Sequence, residues 1–349
     1  MRSLIICVTF FMSIGLSAQT NAFEYLQPLP DSPVIPDTNL QSNAKIALGK
    51  QLFFDVRLSG NGTVSCNSCH NLAASADAEG SALNMKARGI TRNTPSLWNI
   101  GHMSTYYWDA RAPSLEAQAA DHLLDPRIMN MSNELKLVKR ITAISDYRAA
   151  FKAAFKDQKV SIQNVAKAIA TFERTLNTPD SRFDLYIKGD KSQLSKAAKR
   201  GLTLFNDKGC LSCHFGVNFA GPAPGPALKM GDGFYEMFPT YRGTYYEEKY
   251  HFTDDLGRYR VTLDPEHKVM WRVSSLRNIV DTAPYFHNGA VNDIREAIKI
   301  MSKVQFNFDI TDAEVEDILA FLETLTGKYP EITLPRLPEE KGLSVIDQH

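Results

Sequence analysis

The chain has 349 residues, a length that suggests two domains. It is 44% hydrophobic and 22% charged, a globular composition that excludes wholesale disorder. Its 39 Lys and Arg balance 39 Asp and Glu, so no charge excess points to nucleic acid, and five cysteines are too few for a disulfide scaffold of this size.

The first element in chain order is a leader. Met1-Arg2-Ser3 is a short positive segment, Leu4 to Leu16 is apolar, and small or polar residues follow through Ala22. This three-part pattern predicts a secretory signal over residues 1–22, cut after Ala18 or Ala22 and delivering the protein to the periplasm. A retained N-terminal anchor is the alternative, although the apolar run is shorter than a spanning helix needs. A lipoprotein would need its cysteine later than Cys7.

Cleavage leaves Cys66, Cys69, Cys210 and Cys213. They form Cys66-Asn67-Ser68-Cys69-His70 and Cys210-Leu211-Ser212-Cys213-His214. Cys-x-x-Cys-His is the signature of covalent c-type haem: two thiols form thioethers with the vinyl groups and the adjacent His ligates the iron. A zinc site could use four cysteines but needs no His after each pair. A redox dithiol is expected beside a βαβ pattern, which this sequence lacks. The reading is therefore two covalent haems c, with His70 and His214 as iron ligands.

The two halves echo each other. Gly49-Lys50-Gln51-Leu52-Phe53 precedes the first motif, and Gly201-Leu202-Thr203-Leu204-Phe205 precedes the second. Each reads as the end of a helix packed beside its haem. Each half also closes with an amphipathic helix: Ser161 to Leu176, with Ser161 as N-cap, and Thr311 to Leu325, with Thr311 and Glu314 as a capping box and Gly327 as the stop. Residues 219–233 read as loop, the tail from Tyr329 as surface-wrapping, and strand signals are sparse. The fold class is all-α: two cytochrome c-like domains, over 23–180 and 181–349, with the boundary in Asn177 to Lys191.

Further motifs lie between these landmarks. They are Arg92-Asn93-Thr94-Pro95-Ser96-Leu97-Trp98-Asn99, Tyr107-Trp108-Asp109-Ala110-Arg111-Ala112 and Leu115-Glu116-Ala117-Gln118-Ala119 in the first half. Leu276-Arg277-Asn278 and Thr282-Ala283-Pro284-Tyr285-Phe286-His287-Asn288-Gly289 follow in the second. From about Ala47 to Gly327, the chain with these motifs and two haem signatures resembles the bacterial di-haem cytochrome c peroxidases and their MauG relatives. The resemblance implies that Met301 is the second axial ligand of the C-terminal haem, although Met301 also shares a core-like helix face with Ile294, Ala297 and Ile298. It implies a calcium site from Asn93 and the carbonyls of Thr282 and Pro284, where hard oxygen donors suit Ca2+. It places Trp108 between the haems and Gln118 in the motif leading to the distal pocket. It further implies hydrogen peroxide as oxidant, a small c-type cytochrome or cupredoxin as electron donor, and a homodimer as a common assembly.

The chain departs from the family in three places. The distal glutamate that precedes a Met is replaced by Ile128, before Met129, and isoleucine moves no proton. His122 stands where the family has a pocket-lining proline. It is a candidate acid/base, a candidate sixth ligand of the first iron, or a helix-end residue without function. The segment Asn84-Met85-Lys86 carries no His where classical members hold one that blocks the first iron, and Met85 is a weak candidate for that place. Three functions follow: peroxide reduction, MauG-like oxidation of a partner protein's aromatic residues, or an electron carrier or sensor without peroxidase chemistry. His102, His251, His267 and His349 read as surface, His287 as packed near the second haem, and Trp271 as core.

Overall fold

Helices carry nearly all the regular structure of the residues that the computed structural model describes, 26–74, 89–221, 235–340, 344 and 346. The leader, the segment with Met85, most of the 219–233 loop and His349 lie outside the described residues. In the first half the helices are α1 (Asn43–Phe54), α2 (Cys66–Cys69), α3 (Leu115–Leu124), α4 (Glu134–Ala143), α5 (Ser145–Ala154) and α6 (Ile162–Glu173). In the second they are α7 (Arg182–Ile187), α8 (Lys196–Asp207), α9 (Tyr245–Tyr250), α10 (Tyr259–Thr262), α11 (Ile294–Phe306) and α12 (Asp312–Leu322). A small antiparallel ribbon, β1 (Tyr235–Met237) with β2 (Met270–Arg272), interrupts the helical pattern. Among the described residues no helix is long and apolar enough to cross a membrane.

Each half is built on a crossing of its first and last long helices. A Cβ on Gly49 of α1 would sit 1.9 Å from the Ala168 carbonyl oxygen of α6, and one on Gly201 of α8 would sit 1.8 Å from that of Asp317 in α12. Each glycine therefore marks the point where two backbones touch, and each Gly-x-x-Leu-Phe motif lies in the last turns of its helix, as the sequence suggested, with Phe53 one residue and Phe205 two residues before the end. Aromatic pairs lock both crossings: Phe53 meets Phe172 at 5.3 Å, and Phe205 meets Phe321 at 5.3 Å. The closing helices start where the caps predict. Ser161 accepts from the Asn164 amide, and Thr311 with Glu314 forms the capping box. Two main apolar cores result, one around Leu52, Phe53, Leu115 and Phe172, the other around Leu202, Phe205, Phe219 and Phe321.

The segment between the halves is not a slack linker. Thr178 is fully buried, donates its amide to Asn99 Oδ1 at 2.8 Å, and accepts from Asn99 Nδ2 at 2.8 Å and from Asn278 Nδ2 at 2.9 Å. Asn99 and Asn278 both adopt the left-handed conformation, φ 62° and 58°, and each begins a short 3-10 turn. His102 ends the first of these turns. It is buried, not on the surface as the sequence suggested, because the turn points its ring at the joint, where Nε2 lies 2.9 Å from Asn177 Oδ1. Burial holds it below the usual histidine range, at about 4. The tail runs back over the first half, with Lys50 donating to Thr333, Gln51 to the Arg336 carbonyl, and Arg57 paired with Glu340 at 3.2 Å.

Candidate functional site

The first attachment motif forms α2. Ser65 caps it and Ser68 closes the capping box, so both thiols leave one short turn and His70 caps its end. Cys66 packs against the first core and Cys210 against the second. Cys66, Cys69, Cys210 and Cys213 form no disulfide. Among the described residues no three His, Cys, Asp or Glu side chains converge on a point that could hold a metal, which removes the zinc reading. Burial pushes the Cys66 thiol up and the Cys210 thiol up to about 12, the reverse of a reactive redox dithiol.

The second motif opens onto a cavity of about 270 Å3 lined by Cys210, Cys213, His214 and Met301, with Trp108 and Trp271 on other walls. The donor set fits a covalent haem. Phe219 carbonyl lies 2.9 Å from His214 Nδ1 and accepts its N–H, which leaves the other ring nitrogen with its lone pair for iron. Met301, on α11, lines the same cavity, so a thioether and an imidazole stand in one site.

The wall between the halves is built from motif residues. Trp108 donates Nε1–H to the Asn93 carbonyl at 2.8 Å, and its ring lies 6.5 Å from that of His287, which stacks on Trp271 at 4.0 Å. Arginines hold this wall. Arg92 bonds Asp109 and, at 2.7 Å, Asp255, while Arg272 donates to the Tyr107 carbonyl at 3.1 Å. Asn93, Thr282 and Pro284 line the same cavity, and the Asn93 amide reaches the Pro284 carbonyl at 2.6 Å. Gly289 lies beside them at φ 62°, and a Cβ there would come within 3.3 Å of Asn93 Oδ1. The Asn93 N–H thus caps the Pro284 carbonyl, one of the oxygens that the sequence resemblance assigns to calcium.

Beside Tyr107 stand Gln118 and His122, one turn apart on α3. Gln118 Nε2 lies 2.7 Å from His122 Nδ1, and the Tyr107 ring meets the imidazole edge-on at 5.1 Å. His122 is half-buried. Desolvation, and next the charge of His70, hold it far below the usual histidine range, at about 3. Ile128 packs against the first core and leaves no protonatable side chain at its position.

The halves share a register that motif reading missed. The offset that carries Asn99 onto Asn278 also carries Tyr106 onto Tyr285 and Ala112 onto Val291, the members of two matching β-bridges. It carries Trp108 onto His287, the helix cap Ser114 onto the helix cap Asp293, and His122 onto Met301. The recurrence of Asn-Ile at 99–100 and 278–279 was the available signal. Also missed was the fully buried pair Arg277–Asp184 at 2.8 Å, which sequence distance conceals.

The di-haem cytochrome c peroxidase family profile matches residues 43–192, and the cytochrome c profile matches residues 198–326. The chain is 36% identical to a cytochrome c551 peroxidase of Nitrosomonas europaea, covering 94% of this chain and 91% of that protein. It is 34% identical to the methylamine utilization protein MauG of Methylorubrum extorquens, covering 88% and 86%. A solved MauG-like protein associated with microbial copper homeostasis superposes with a TM-score of 0.67 at 29% identity, covering 87% of this chain and 94% of that one. Its fold is thus predominantly helical, with two cytochrome c-like halves.

Proposed function

The chain belongs to the di-haem cytochrome c peroxidase and MauG family of oxidoreductases, and on that premise we propose that it reduces hydrogen peroxide with electrons from a small c-type cytochrome or cupredoxin. Peroxide, two electrons and two protons give two waters. The observation that carries this reading is the single cavity uniting Cys210, Cys213, His214 and Met301 with Trp108. When bound, the two haems c supply electron storage at the second site and oxygen–oxygen cleavage at the first.

The chain's own residues do the rest. Cys66 and Cys69 would fix one group and Cys210 and Cys213 the other, and His70 and His214 would each supply an iron ligand. Met301 would close the second site to small ligands. Trp108, held by Asn93 on one edge and near His287 on the other, is the aromatic bridge between the halves. His122 takes the place of the absent distal carboxylate. With the Gln118 amide turned so that Oε1 accepts Nδ1–H, Nε2 of the neutral ring keeps the lone pair that takes the proton of bound peroxide and returns it to the departing oxygen. Asn93 with the Thr282 and Pro284 carbonyls would hold Ca2+ and tie the two halves. Export to the periplasm, with residues 1–22 removed, suits a protein whose cofactors are covalently retained.

A peroxide assay with a reduced donor tests the reading. The holoprotein should turn peroxide over, and His122→Ala should lower the rate by about 10²-fold, the low end for a general acid–base group. A rate no better than free haem, indifferent to His122→Ala, overturns it. The likeness to MauG keeps a second reading in view, oxidation of a partner protein's aromatic side chain. Mass spectrometry of candidate partners after peroxide treatment distinguishes the two.

A further inference from the structure

In the register that relates residues 99–122 to 278–301, the landmarks that lead to His122 have counterparts that lead to Met301. The 3-10 turn Ile100–His102 matches Ile279–Asp281, and the bridge Tyr106↔Ala112 matches Tyr285↔Val291. The caps Ser114 and Asp293 start α3 and α11, and the two side chains lie on the same position of those helices, His122 and Met301. Met301 and His214 both line the second cavity. The helix that carries His122 packs Ala119 and Leu123 into the core against which Cys66 also packs.

We propose that His122 is the resting-state axial ligand of the iron held by Cys66, Cys69 and His70, as Met301 is at the second site, so that peroxide must displace it. This rests on the family reading above and deepens it. The neighbours of His122 favour ligation over a solvated helix end. The Tyr107 edge sets the ring plane at 5.1 Å, and the Gln118 amide sits 2.7 Å from Nδ1. An imidazole bound to metal through one nitrogen regularly gives its other N–H to a fixed acceptor, which sets ring orientation. With the Gln118 amide turned over, Oε1 accepts Nδ1–H and Nε2 keeps a lone pair for iron. With the amide as placed, Nε2 carries a proton and cannot ligate. One amide rotation therefore decides whether Nε2 can bind iron and, once peroxide displaces it, take the peroxide proton. Gln118 is a positioning residue, and no bond of the substrate is made or broken by the exchange.

Electron paramagnetic resonance of the ferric holoprotein tests this, with peroxide turnover measured on the same samples and both haems verified by intact mass. The wild type should show two low-spin irons. His122→Ala should convert one to high-spin and speed azide binding at least tenfold. His122→Met should restore a low-spin signal and double the intensity of the methionine-to-iron charge-transfer band, which also guards against a misfolded alanine variant. Gln118→Glu, a fixed acceptor for Nδ1–H, should keep the low-spin state and slow azide binding further. A high-spin first iron in the wild type, unchanged in His122→Ala, overturns the proposal; turnover in those samples leaves the peroxidase reading intact. Two low-spin irons that respond as predicted but never turn peroxide over uphold the ligand and reject the peroxidase.

Discussion

The two halves use one plan to different ends. In the second, the helix that follows the Tyr285↔Val291 bridge presents a thioether to a mostly apolar cavity. In the first, the matching helix presents an imidazole wedged between an amide and a phenol ring. Sulfur against imidazole saturates an iron and raises its potential, which suits storage of an electron. An imidazole that an amide can hold in either tautomer suits a centre that must exchange ligands and move protons. The two segments thus differ at one helix position, while the bridges and caps that lead to it stay in register.

The halves also differ in what secures their cores, and the largest predicted effect probes this. Arg277 and Asp184 are both fully enclosed in the second half, whereas Arg140, enclosed in the first, donates to the carbonyls of Arg57, Ser59 and Gly60. Arg277→Ala strands a buried carboxylate and should cost about 3–5 kcal/mol in denaturant unfolding. A loss below about 1 kcal/mol would mean that the pair is not enclosed as described.

Next in size is an attempt to give the first site the distal acid it lacks. Ile128→Glu should raise peroxide turnover by about 10²-fold, roughly 2.7 kcal/mol of barrier. Steady-state kinetics that show no gain would place position 128 away from the reacting oxygen.

The helix crossings offer a smaller, paired comparison. Gly49→Ala and Gly201→Ala each push a methyl into a carbonyl oxygen and should cost about 1–3 kcal/mol as overpacking. Calorimetry of both variants should show similar losses; a cost at only one would break the equivalence of the crossings.

The gentlest effect is a pH slope confined to the first half. Glu173 on α6 is buried, with Oε2 lacking a partner, and burial raises its carboxyl from 4.5 to about 8. The folded state therefore holds a proton that the unfolded state releases. This contribution is fully present below pH 4.5 and is lost as pH rises toward about 8, at no more than about 1.4 kcal/mol per pH unit. Stability curves for Glu173→Gln should lack that slope, and a slope that survives assigns it to another group.

Much of this was readable before any coordinates. Two Cys-x-x-Cys-His motifs announce their own chemistry because thiol spacing and the adjacent ligand are local in the chain. Ser161 and Thr311 mark helix starts for the same reason: a cap is satisfied within three residues. What stayed hidden is non-local. Nothing near Gly49 or Gly201 in sequence reveals the backbone that crosses each, at Ala168 and Asp317. His102 read as surface because its partner, Asn177, lies in the other wall of the joint. The pairing of Arg277 with Asp184 has no periodicity to betray it. The match of His122 to Met301 needed the bridges and caps of both halves laid side by side.

The account depends above all on two covalently held haems in two separate cores, and intact-mass spectrometry of denatured, mature protein tests that most directly. The wild type should exceed its polypeptide mass by two haem groups, and Cys66→Ala/Cys69→Ala and Cys210→Ala/Cys213→Ala should each exceed theirs by one. Wild-type protein from a haem-attaching host that weighs no more than its amino acids would contradict the account.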